Sequence, residues 1–425
     1  MIRKQDGFSL VELLVALVVF SFVIAAATGM FIPLVYQFKQ QSKIAESHIE
    51  GIVGLEILRS DLEHAGFGLP WYFPDDTITY TEATVSPAKD HGFNDSSGNP
   101  PRPVIAGENF NFTGSVNGNL SITGIVHGTD TGSDYLVIKS TVVSGTNTSQ
   151  KWTYIINENE PKPRTLGNST YDLVPVNDRV IVLRPKVSDT RLHELVMDGT
   201  NFFTQYSANA FPANYSPTKP AETYLIYGVA PSALKRPFNR ADYFVGIPDT
   251  LPQRCATGTG ILYKVVLSQA DGTFPTATTV PLLDCVADMQ VVFGLDMDQD
   301  GIIGTYSNAD GSTVVDATNI TGQTEGKTAG DVQNILTAHG DLADYRSALQ
   351  EVRVYILAHE GQKDPNYTYP YSTVIVGPTD PNDPASPYLA TQVGRSFDFT
   401  KSGITDWQKY RWKLYSIVVK LKNTR

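Results

Sequence analysis

The feature that most constrains this chain is a run of 25 residues, Phe8–Ile32, whose only ionisable side chain is Glu12. A helix rises ~1.5 Å per residue, so the run reaches roughly 38 Å, enough to cross a hydrocarbon layer about 30 Å thick with some tilt. Arg3 and Lys4 precede it. That basic flank is predicted to stay cytoplasmic, leaving the rest of the chain outside. A secretory signal peptide cut near Ala25-Ala26-Ala27 and a plain membrane anchor both account for an apolar run. Neither accounts for Glu12, because a carboxylate inside a membrane segment is costly and such residues usually have a partner.

The residues around Glu12 supply that partner. Gly7-Phe8-Ser9-Leu10-Val11-Glu12 resembles the processing site of type IV prepilins and type II secretion pseudopilins. The resemblance implies a prepilin peptidase that cuts after Gly7 and methylates the new amine of Phe8. It implies that Glu12 pairs with the N-terminal amine of a neighbouring subunit during assembly. A charge pair in a low-dielectric layer has one good geometry, which suits it to fixing axial register between subunits.

Beyond the membrane run the sequence turns polar but keeps an apolar stripe. Ala45, Ile49, Ile52, Leu55, Leu58 and Leu62 recur at steps of three and four, the mark of one helical face turned to a core. Pro33 removes a backbone donor and is expected to kink or loosen the helix. Gly66, Gly68 and Pro70 are expected to end it. Strands are predicted at Tyr135–Ser140, Trp152–Ile156, Arg179–Leu183, Thr223–Val229, Ile261–Leu267, Met289–Phe293, Val352–Ala358 and Leu414–Leu421. Residues 77–150 read as long loops or hairpins, and 304–340 and 377–387 as surface excursions.

The order is therefore one long helix and then a β-rich body, an α+β fold. The segments are a leader over 1–7, an N-terminal transmembrane and assembly helix over 8–68, and an extracytoplasmic head over 69–425. A subdivision of the head is plausible near 231–253, where a break at Pro231–Asn239 is expected.

Composition narrows the function. Charged residues make up 18% and the net charge is -11, which disfavours binding to nucleic-acid phosphates. Hydrophobic residues make up 41%, enough for a folded core. The only cysteines are Cys255 and Cys285, and an extracytoplasmic head favours one disulfide between them. No Gly-x-Ser-x-Gly or His-Glu-x-x-His is present, and the histidines are scattered, so enzyme signals are poor. Gly326-Lys327-Thr328 fails as a phosphate loop because Thr321 stands where the first glycine is required.

One local motif carries chemistry. Asp296, Asp298 and Asp300 alternate and are followed by Gly301 and Ile302, as in the first half of a calcium loop. Three carboxylates at this spacing converge, Gly301 permits the turn, and the Ile302 carbonyl adds a neutral oxygen. Hard oxygen ligands favour Ca²⁺. Ser307 stands where a full EF-hand has its bidentate Glu, and Asp310, Asp316 or water are the candidates for the remaining ligand.

Several downstream pieces resemble PilW-type minor pilins. These are Ser60-Asp61-Leu62 with Ala65-Gly66-Phe67, Gly132-Ser133-Asp134, Val286–Asp296, Val352–Leu357 and Val418–Arg425. The resemblance implies a low-abundance subunit that primes assembly or caps the filament. The implied partners are other major and minor pilins and the inner-membrane assembly platform. The implied location is a single-pass inner-membrane anchor through residues 8–32 with a periplasmic head, and then the filament at the cell surface. A type II secretion pseudopilin shares the N-terminus, and a membrane-tethered adhesin is a third reading.

Overall fold

The computed structural model describes residues 9–74, 78–95, 98–110, 112, 115–116, 120–125, 132–157, 162–168, 170–185, 193–220, 222–317, 325–337, 342–378 and 393–423. Arg3, Lys4, Gly7, Phe8 and most of the expected excursion 377–387 lie outside them.

Helix α1 (Leu10–Glu63) has 54 residues and runs through position 33 without a break. Its first half is exposed from Leu10 to Ile32 and again at Leu34. Its last turns dock on the head through Leu55, Leu58 and Leu62. Above those residues the buried face is small: Ser47, Gly51 and Gly54 turn inward. Ala45, Ile49 and Ile52, expected to face the core, are exposed. The reason is a close backbone approach. A Cβ on Gly54 would lie 1.8 Å from the carbonyl oxygen of Leu282, so no large side chain fits on that face. The helix ends where Gly66 and Gly68 take positive φ.

The described strands are β1 (Val104–Gly107), β2 (Ser115–Val116), β3 (Leu120–Gly124), β4 (Tyr135–Ser140), β5 (Trp152–Ile156), β6 (Arg179–Pro185), β7 (His193–Leu195), β8 (Thr204–Gln205) and β9 (Thr223–Ala230). They continue with β10 (Asn239–Pro248), β11 (Gly260–Val266), β12 (Thr279–Leu295), β13 (Thr305–Asn308), β14 (Val314–Asp316), β15 (Leu349–Glu360), β16 (Thr373–Val376), β17 (Arg395–Asp398) and β18 (Arg411–Lys420). Two short helices, α2 (Ala329–Thr337) and α3 (Leu342–Ala348), precede β15.

Eleven strands form one antiparallel sheet. β12 is its spine. Val286 pairs with both Gly260 and Ala358, and Val292 with both Asn308 and Arg353. A strand has two edges, so β11 and β13 share one edge and β15 holds the other. The order is then β1, β4, β10, β11 with β13, β12, β15, β18. α1 covers one face over Leu136, Ile138, Tyr243, Met289, Ile356 and Ile417. The alternate residues do not face water. Tyr135, Val137, Phe244 and Tyr263 pack against Ala83, Ala88, Phe93, Phe110 and Phe112, and Tyr355, Leu357 and Trp412 against Val376 and Phe397 of β16 and β17. Burial on both faces explains why β4 reads Tyr-Leu-Val-Ile without polar alternation.

The covered far face also holds charges. Lys139 pairs with Glu82 at 2.8 Å and Asp95 at 2.5 Å, Arg102 with Asp95 at 2.6 Å, and Arg240 with Glu82 at 3.0 Å and Asp242 at 2.7 Å. These pairs clamp residues 82–102 onto β4 and β10.

A second sheet, ordered β5-β9-β6-β7 with β8 on β6, is built from residues 152–230. It is inserted between β4 and β10, which are neighbours in the large sheet. The Asn239 amide closes the insertion, donating to the Thr141 carbonyl at its entrance and to Val229 at its exit. The stretch 231–253 is thus the return into the large sheet, and residues on both sides of it pair in that one sheet.

Candidate functional site

Two places carry chemistry, one at each end of the molecule. At the start of α1, Ser9 is the N-cap, with φ −72 and ψ 147. Its hydroxyl accepts from the Glu12 amide at 3.2 Å, and the Glu12 carboxylate accepts from the Ser9 amide at 2.9 Å. This reciprocal capping box satisfies two helix-end donors. It places Glu12 one turn into an exposed helix that is long and apolar enough to cross a membrane.

At the far end, the loop between β12 and β13 folds around Asp296. Gln299 and Gly301 take positive φ and turn the chain back on itself. The Asp296 carboxylate accepts from the Gly301 amide at 2.9 Å and the Asp300 amide at 3.1 Å. Asp300 turns to the Ile302 amide at 2.8 Å. The third carboxylate at the centre comes from elsewhere: ligand oxygens of Asp296, Asp298 and Glu325 all lie within 4.8 Å of one another. Glu325 is anchored by the Met297 amide at 3.0 Å and the Thr305 hydroxyl at 2.5 Å. It lies over Gly304, where a Cβ would come within 2.4 Å of its carboxyl carbon.

Burial raises the Asp296 carboxyl above its ordinary range, and the charges of Asp300 and Asp298 add to this against the Gly301 and Asp300 amides. Burial raises Glu325 as well, with Asp298 and Asp296 contributing. A cation among these oxygens would relieve both effects. Of the other candidates, Asp316 accepts from the Gly326 amide at 3.2 Å and so positions the Glu325 turn. Asp310 caps its own turn at Ser312 instead. Ser307 is buried in β13, opposite Phe293. Sequence spacing missed Glu325 because it follows the motif by a long excursion. The one available signal is that no other acidic residue stands between Asp316 and Asp331.

Cys255 and Cys285 are joined by a disulfide, with Cα atoms 4.8 Å apart. It ties the loop before β11 to an irregular point of β12 where Cys285 has φ +59.

The remaining sequence patterns also find partners. Asp61 pairs with Lys264 and accepts from the Tyr243 hydroxyl, fastening the end of α1 to β10 and β11. Asp134 accepts from the Val291 amide at 2.7 Å and the Asn109 amide at 2.9 Å. Beside it, Glu108 is pushed up to about 7 by burial and by the charge of Asp310.

Residues 2–28 match the family model of the prokaryotic N-terminal methylation motif. Residues 253–423 match that of type IV pilus-assembly protein W. Neither a curated protein nor a solved structure matches the chain. The methylation motif, the long exposed apolar helix and the β-rich head define a type IV pilin-like protein held in the membrane by its N-terminus. More particularly, the chain is a pilin-like protein of the PilW type. Proteins of these families are structural components of the pilus. Their processing and assembly imply contact with the prepilin machinery and with other pilus components. The match to the W family takes in β11–β18, the disulfide and the acidic loop, and leaves the inserted sheet outside.

Proposed function

We propose that this protein is a minor type IV pilin, a low-abundance subunit that primes pilus assembly or caps the filament. The reading takes residues 1–7 as a leader cut after Gly7, Phe8 as the methylated N-terminus, and Glu12 as the assembly charge. The head, residues 69–425, stands in the periplasm and then at the filament end. The supporting observation is the head's width. One α1 carries an eleven-stranded sheet and, inserted in it, a five-stranded sheet. A head of that breadth packs poorly along a tight shaft and is tolerated at an end.

The test is to delete the chain and count pili, and to measure its copies per filament against the major subunit. Few pili and few copies support the reading. Copies equal to the major subunit, or normal piliation, overturn it. Normal piliation with a loss of protein secretion points to a pseudopilus.

We also propose that the acidic loop binds Ca²⁺. Asp296, Asp298 and Glu325 supply carboxylate oxygens, with Asp300 and the Ile302 carbonyl beside them. The grouping of Glu325 with the two aspartates supports this, because it adds an acidic ligand that the EF-hand pattern lacks here. Calcium-dependent thermal stability tests it.

A further inference from the structure

We propose that the outer edge of β18 is a docking edge, taking an extended, acidic segment of a different pilus subunit as an added strand. The inference rests on the pilus-assembly reading and names a surface through which it would work.

β18 spans 10 residues and pairs with β15 alone. The other edge strands of the sheet are short: β1 has 4 residues, β2 has 2 and β14 has 3. β18 is therefore the long open edge of the sheet among the described residues. The register fixes which of its groups are open. Lys420 pairs with Glu351, and the Leu421 amide donates to the directly opposite Gln350 carbonyl at 2.9 Å. In an antiparallel ladder such hydrogen-bonded pairs alternate with non-bonded ones. The odd residues from Arg411 to Leu421 thus bond β15, and the backbone groups of Leu414, Ser416, Val418 and Lys420 point away from the sheet. Among the described residues, the backbone bonds from neighbouring loops fall at the approach to this edge, where the Asp364 and Tyr369 amides donate to the Lys409 and Gln408 carbonyls.

The occupant's chemistry follows from charge. The protein carries a net charge of -11, yet Lys409, Arg411, Lys413, Lys420 and Lys422 follow one another with no Asp or Glu between them. Arg411 and Lys413 are answered by Asp364 and Glu360. Lys420 and Lys422 are exposed and meet no carboxylate among the described residues. Val418, on the same face, is 40% exposed. Strand addition takes its affinity from main-chain hydrogen bonds and its specificity from alternate side chains. This edge offers an incoming strand one apolar contact at Val418 and two cations at its end. A second copy of the chain would bring its own lysines against these and be repelled. Edge lysines also serve in solitary proteins to prevent pairing, and the two roles differ in sign when the charge is reversed.

The experiment uses the full chain in membranes of cells that produce it, carrying p-benzoylphenylalanine in place of Val418. Irradiation should yield an adduct with another pilin-type subunit, mapped by mass spectrometry to an extended segment containing Asp or Glu. Ser416→Pro removes an outward N–H and no bond to β15. It should cut the adduct about ten-fold, a difference the yield resolves readily. Lys420→Glu with Lys422→Glu should cut it comparably, whereas guarding lysines would give a gain. No adduct, an adduct with a second copy, or an adduct undiminished by charge reversal overturns the proposal. The priming reading fails separately, if cells lacking the chain make pili in normal number, and the adduct reports on the edge in either case.

Discussion

Gly54 of α1 stands so close to Leu282 of β12 that a β-carbon on it would sit 1.8 Å from the Leu282 carbonyl oxygen. Backbone meets backbone there, and the helix is seated by the absence of a side chain. In an ordinary helix interior Gly→Ala stabilises by about 1 kcal/mol. Here Gly54→Ala should destabilise the head by roughly 1–3 kcal/mol through overpacking. Gly29 has nothing within 4 Å, so Gly29→Ala should leave the head's stability unchanged. Denaturant titration of the full chain in detergent micelles reads both. Equal stability of the Gly54→Ala protein would mean the helix is not seated this way.

The buried charges make a second prediction. Lys139 is fully buried and holds Glu82 and Asp95. Lys139→Met would take from those carboxylates the buried cation they share, at a cost of about 3–5 kcal/mol. Denaturation at neutral pH should show it, and loss of the clamp should open residues 82–102 to proteolysis first. A loss within about 1 kcal/mol, typical of exposed pairs, would contradict the burial.

Much of the architecture is legible in the sequence, and the misses have physical causes. β4 and β5 are predicted to the residue, because Tyr135–Ser140 and Trp152–Ile156 are rich in β-branched and aromatic residues between turn formers. β10 is missed because Arg240 and Asp242 interrupt the apolar run that would mark a strand. They are buried and pair with each other, and Glu82 of the covering segment also pairs with Arg240; no local pattern announces that cover. The upper stripe of α1 is misassigned for a related reason. Periodicity finds Ile49 and Ile52, but the head selects the face on which Gly51 and Gly54 allow contact. At the acidic loop the aspartates are local and visible, while Glu325 is brought in by tertiary structure.

Glu108 predicts a pH dependence. Its carboxyl is raised to about 7 by burial and Asp310, above its unfolded value. A group raised on folding contributes stability fully present below its unfolded pKa and lost as pH rises through the folded one. The contribution is on the order of 3 kcal/mol, lost between about pH 4.5 and 7. Glu108→Gln should flatten the decline of melting temperature over that window. An unchanged slope would remove Glu108 as its source.

The calcium proposal separates two sets of carboxylates. Melting temperature of the full chain should rise by a few degrees between chelator and about 10 mM Ca²⁺, as expected for a weak extracellular-type site. Asp298→Ala and Glu325→Gln should each abolish most of the rise. Asp310→Asn should not, because Asp310 lies away from the cluster. A rise that survives Glu325→Gln would exclude Glu325 as a ligand. No rise in the unaltered protein would leave the loop as a hydrogen-bonded acidic turn.

The last prediction separates two roles at Glu12. Its carboxylate caps its own helix through Ser9, and in the assembly reading it also meets a neighbour's amine as a charge. Glu12→Ala removes both functions and cannot tell them apart. Glu12→Gln keeps an oxygen for the Ser9 amide, since Gln serves in capping boxes, but it carries no charge. If the charge sets register, Glu12→Gln should be processed normally, with its mature N-terminus at methylated Phe8, and yet enter filaments as poorly as Glu12→Ala. If the cap is what matters, Glu12→Gln should enter like the unaltered protein, and Ser9→Ala should reproduce the Glu12→Ala defect. Mass spectrometry of the N-terminus and immunoblots of sheared pili read the two steps independently. Replacing Gly7 by a bulky residue should stop both at the first step, leaving the leader attached, and a mature N-terminus after Ala27 would overturn the processing assignment.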